Sequence, residues 1–100
     1  MIRVEPIILE GHTVLAIEVL LPKTTLIIIT TNKGYIMCGA LDVNLLNERL
    51  SERNIVAARA TGVKTVADLL DAPLESVTHT SKDLGIEVGM IGREAILKMM

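Results

Sequence analysis

Aromatic residues are almost missing from this chain: Tyr35 is the only one, with no tryptophan and no phenylalanine. That scarcity nearly removes the stacking platforms on which single-stranded nucleic acid is held. Cysteine is equally scarce, and a lone Cys38 closes no internal disulfide, which points to a reducing, cytoplasmic setting. No block of like charge occurs. Ten Lys plus Arg stand against twelve Asp plus Glu, a net charge of -2, so there is no basic tail for a polyanion. Apolar runs fall far short of the roughly 20 residues that cross a bilayer. Glu5, Pro6 and Glu10 interrupt the N-terminus where a signal peptide needs an unbroken apolar core. No membrane partner is expected. His12 and His79 have no ligand spacing with each other or with Cys38, so no metal and no cofactor is read from them.

Aliphatic residues are what the chain has instead. Half of its 100 residues are hydrophobic and 22% are charged, more apolar area than so small a body readily hides. The length suits one domain, residues 1–100, with one core. The surplus is expected at a subunit interface, which makes the protein a homo-oligomer.

Residues 2–9 and 13–21 flank the polar Glu10, Gly11 and His12 and are expected to form a hairpin. In the second segment Leu15, Ile17, Val19 and Leu21 share a wholly apolar face, expected to be the covered one, opposite a mixed face of Val14, Ala16, Glu18 and Leu20. Pro22 ends it. TLIIITT at 25–31 suits a central strand, and Asn32, Lys33 and Gly34 make a turn tolerant of positive φ into a strand over 35–38. Asp42 then has the chemistry of an N-cap, with Val43, Leu46 and Leu50 at helical spacing to about Arg53 and Asn54 suited to the end. IVAARA at 55–60 reads as a strand, with a helix as the alternative. Strand, helix and strand make a crossover, so the two strands run parallel and their carboxyl ends share one edge.

Thr65 and Asp68 form a variant capping box for a short helix over 66–71. Pro73, Leu74, Val77 and Leu84 are spaced for a further helix ended by Gly85, although VTHTS within it also suits a strand. A last helix falls within 89–100. The fold class is α+β: a mixed sheet of about five strands, an antiparallel N-terminal meander plus one parallel βαβ unit, with helices mainly on one face.

GYIMCGALDV at 34–43, LLDAPLESVT at 69–78 and LGIEVGMIGREAILKMM at 84–100 resemble the YunC-like family of small bacterial and archaeal proteins, a domain of unknown function. The similarity spans essentially the whole chain. It implies a compact α+β domain of this length and supplies no activity, substrate or catalytic residue to transfer.

The expected site is the edge shared by the parallel strands, because ligands of such sheets bind outside the carboxyl ends. Cys38 is the catalytic candidate, a thiol ahead of a helix N-terminus. Against it, a lone cysteine is more often a small buried hydrophobe, and the nearby charge of Asp42 opposes a thiolate. Arg59 is the candidate anion holder, or else half of a structural ion pair with Asp42, Glu48 or a neighbouring subunit. Gly39, Asp42, Thr61, Gly62 and Thr65 complete the ligand-binding set, with backbone amides and hydroxyls for a small anion. Enzymatic status stays open.

Two functional classes follow: a domain with a small-anion or small-molecule pocket near Cys38 and Arg59, and an interaction module that works by oligomerising. A third is weaker. GVKTVADLLDAPLESV followed by LGIEVGMIGREAI resembles helix-hairpin-helix elements, but acidic residues outnumber basic ones there and oppose a nucleic-acid partner.

Overall fold

A computed structural model describes residues 1–49 and 51–100. Among these residues six strands form one sheet whose spatial order follows the chain: β1 (Ile2–Leu9), β2 (His12–Leu21), β3 (Thr24–Thr30), β4 (Gly34–Met37), β5 (Val56–Arg59) and β6 (Ser76–Val77). Every neighbouring pair is antiparallel except β4 and β5, which run parallel in the register Gly34 with Val56 through Met37 with Arg59. Among the described residues four helices accompany the sheet: α1 (Val43–Glu48), α2 (Val66–Asp71), α3 (His79–Asp83) and α4 (Gly92–Lys98).

Turn chemistry fixes the meander. Glu10 and Gly11 both have positive φ, 47° and 82°, as a two-residue primed turn requires. At Pro22 and Lys23 the ring fixes the first position and Lys23 takes φ 64°, the pattern of a type II turn. The third turn is held differently from expectation. Gly34 is not among the positive-φ glycines. Instead the Thr31 hydroxyl accepts from the amides of Lys33 (3.1 Å) and Gly34 (3.0 Å). Gly34 is needed for closeness, since a Cβ there would lie 2.5 Å from the Val56 carbonyl oxygen.

Alternation along the strands divides the side chains between two faces. One face carries the main core: Val14, Ala16, Ile27, Ile29, Ile36 and Ala58 are buried with Leu69, Leu70, Ala95 and Ile96 of α2 and α4. Among the described residues the opposite face is covered near β5, where Val43 and Leu46 of α1 are buried alongside Ala57. Over β1 to β4 that second face is open.

This reverses one expectation about β2. Its mixed face, with Val14 and Ala16, lies under the helices, and the wholly apolar face of Leu15, Ile17, Val19 and Leu21 is the uncovered one. Alternation shows that two faces differ, but the helices decide which is hidden.

The C-terminal half also departs from its spacing. The helix expected from Pro73 is broken: Pro73 bridges Ile91, residues 76 and 77 pair with β5, and α3 begins only after Thr78. Thr78 explains the break. Its hydroxyl accepts from the Ala57 amide (3.2 Å) and donates to the Ile55 carbonyl (2.7 Å), so it belongs to the sheet edge while also capping α3 through the Ser81 amide. Gly85 does end that helix, at φ 83°, with the Ile86 amide returning to the Ser81 carbonyl as in a Schellman motif. The expected continuation of α1 through Leu50 falls partly outside the described residues. Ser51–Arg53 form a 3-10 turn, and Asn54 closes the segment at φ 51°.

Candidate functional site

The parallel pair places the ends of β4 and β5 on one rim, where the sequence puts its candidate residues. Cys38 follows β4 directly. Its amide donates to the Ile27 carbonyl (3.0 Å), its Sγ accepts from the Ile27 amide (3.5 Å), and the residue is 6% exposed within the main core. Arg59 ends β5 opposite Met37 and so projects from the other face. The thiol and the guanidinium are therefore on opposite sides of the sheet and share no pocket. A site that uses both at once is corrected by this register.

Arg59 is engaged within the chain. Nη1 donates to the Leu41 carbonyl (3.2 Å). Nε lies 3.2 Å from Glu75 Oε2, yet it makes no directed hydrogen bond and is shut off from solvent. The distance and the missing bond agree if the contact is read as Coulombic, an ion pair with poor donor angle. The partner is neither Asp42 nor Glu48. Glu75 stands beside β6, which pairs Arg59 with Ser76, and the helical spacing of Leu74, Val77 and Leu84 concealed that neighbour.

Of the remaining rim residues, Gly39 and Thr61 are brought together, a Cβ on Gly39 falling 3.7 Å from Thr61 Cγ2. Gly62 turns the chain at φ 75°. Asp42 and Thr65 spend their side-chain oxygens on capping: Asp42 Oδ1 accepts from the Leu45 amide (3.0 Å) and Thr65 Oγ1 from the Asp68 amide (3.0 Å). Asp68 reaches back to the Lys64 amide (3.1 Å), one residue ahead of the N-cap, in place of the Thr65 amide that a capping box uses. Among the described residues no group of three His, Cys, Asp or Glu is placed to hold a metal ion.

A cleft of about 380 Å³ does open beside this rim, between the β2–β3 turn and the β5–α2 loop, lined by Lys23, Thr24, Thr25, Val63 and Lys64. Elsewhere, a cavity of about 420 Å³ lies at the opposite ends of β2 and β3, with His12, Thr31, Lys33 and Met99 in its wall. The lysines of the smaller cleft escaped the sequence because they lie in a turn and a loop far apart along the chain.

The open face is the larger feature. On β1, Ile2, Val4 and Ile8 are 66%, 58% and 73% exposed, and on β2 Leu15 is 42% exposed. Cross-strand register aligns Val4 with Ile17 and Ile28, and Ile2 with Val19 and Leu26, into continuous apolar rows. No charged side chain of β1 to β4 projects from this face: Arg3, Glu5 and Glu18 all belong to the other one. Among the described residues no helix is long and apolar enough to cross a membrane.

Comparison with known proteins adds kinship. A family model described as a domain of unknown function (DUF1805) matches residues 37–99. The uncharacterized protein YunC of Bacillus subtilis (strain 168) is 61% identical over 100 residues, 100% of this chain and 99% of its own length. The crystal structure of a protein of unknown function, TA1206 from Thermoplasma acidophilum, superposes with a TM-score of 0.89 at 29% identity, covering 100% of this chain and 94% of that one.

Proposed function

This chain belongs to the family of the domain of unknown function DUF1805, and on that footing we propose that it is a self-associating interaction module that pairs two copies through the open sheet face. The observation that carries the reading is the uncharged apolar surface of β1 to β4. Its side chains form contiguous exposed apolar rows rimmed by polar residues, the kind of surface that marks a protein–protein contact. A surface without charge has no complement on a charged partner, whereas it is complementary to itself. Two such faces stack as sheets do in a sandwich, related by a two-fold axis. The buried thiol of Cys38 and the ion pair of Arg59 support an interaction module over a catalytic one. The single free cysteine supports a reducing, cytoplasmic compartment.

Sedimentation velocity over a dilution series tests the proposal. The wild-type chain is expected to sediment at twice its 10.9 kDa mass, with little dependence on salt. Val4 is exposed, so Val4→Glu meets water in the single chain and is buried only in the pair. That variant should sediment as a monomer with an unchanged circular dichroism spectrum. A wild-type monomer at high micromolar concentration, or a Val4→Glu dimer, overturns the reading.

A further inference from the structure

We propose that the cleft between the β2–β3 turn and the β5–α2 loop binds the phosphate group of a small molecule, with Lys23 and Lys64 supplying the charge. Lys23 and Lys64 line one cleft of about 380 Å³ together with Thr24, Thr25 and Val63, and no carboxylate lines it. Among the described residues neither lysine is in an ion pair. A dianion between two cationic side chains is attracted by both. Lysine is a compact point charge that also serves as a phosphate binder, and a phosphate dianion gains more than a singly charged carboxylate from two such cations.

The backbone at Lys23 carries the argument further. It holds φ 64° at the second central position of the turn after Pro22, a place that glycine or asparagine occupies with least strain. A lysine there is held at conformational expense, and such outliers gather at functional sites. Lys64 is fixed from the other side, because Asp68 Oδ2 accepts its backbone amide at 3.1 Å. That bond turns the Asp68 carboxylate toward the main chain of the loop. The location agrees with the general preference of ligands for the carboxyl edge of parallel strands, although the charges come from turns and not from Cys38 or Arg59.

Calorimetric titration with inorganic phosphate and with glycerol phosphate, at constant ionic strength with chloride as control, tests the site. Saturable binding of at least one is expected, weakened about tenfold or more in Lys23→Gly and in Lys64→Gln. Tighter binding of the ester assigns an organic phosphate, and equal binding assigns free phosphate. Lys23→Gly should also keep or raise the urea midpoint, because glycine accepts the turn without strain, so lost binding cannot reflect lost folding. Wild-type affinity in Lys23→Gly, a lowered urea midpoint in that variant, or heats no larger than those of chloride overturn the proposal. The reading is independent of self-association: a Val4→Glu monomer should bind phosphate as the wild type does.

Discussion

At the scale of single residues, Cys38 and Arg59 show how a plausible pair is separated by one step of register. Cys38 accepts a hydrogen bond from Ile27 and faces the core, so the folded thiol should react with an aromatic disulfide reagent at least about a hundredfold more slowly than free cysteine, becoming reactive only with unfolding. Modification at the free-thiol rate in the native protein would remove the structural account of this residue. Arg59 and Glu75 are both partly exposed, with side chains 32% and 49% accessible. Glu75→Gln is accordingly expected to cost under about 1 kcal/mol in urea denaturation. A larger loss would mean that the shielded Nε depends on that carboxylate. The burial of a lone cysteine that follows Ile36 and Met37 was legible from its neighbours. The partner of Arg59 was not, because it depends on a two-residue strand that no periodicity announces.

Elements were legible where local chemistry acts alone and obscure where a tertiary contact overrides it. The N-caps Asp42 and Thr65, the terminating Gly85 and the parallel pair around α1 all follow from nearby residues. The segment from 73 to 84 does not, since Thr78 is drawn to the edge of β5 by Ile55 and Ala57 and the helical spacing of Leu74 and Val77 yields to that contact. Close packing between elements gives a contrast between two glycines. A Cβ on Gly92 would collide with the Leu69 carbonyl oxygen and lie 3.1 Å from Ile36 Cδ1, whereas one on Gly39 meets only Thr61 Cγ2 at 3.7 Å. Gly92→Ala should therefore push α4 off α2 and β4 and cost about 2 to 3 kcal/mol, while Gly39→Ala stays within about 0.5 kcal/mol. Equal urea midpoints for the two variants would show that α4 shifts freely.

For the whole molecule, the composition already signalled more apolar area than one small body can hide, but not which surface would carry the excess. The helices answer that, because α2 and α4 pack on one face of the sheet while α1 reaches the other beside β5. If the exposed side joins two copies, stability becomes linked to concentration, and each tenfold rise should add about 1.4 kcal/mol per dimer. Thermal melts across a dilution series check this. The midpoint should climb for the wild type and stay flat for Val4→Glu, and a flat wild-type series would detach stability from association.

Because the strands lie in space in the order in which they occur along the chain, each new one is added beside its predecessor as the ribosome releases it. The β1–β4 hairpins can zip up early, and the β4–β5 and β5–β6 steps must wait for the intervening segments that carry α1 and α2. The growing nascent chain thus never has to insert a late segment between two earlier ones, and its greasy underside emerges first, before any second copy is at hand to shield it.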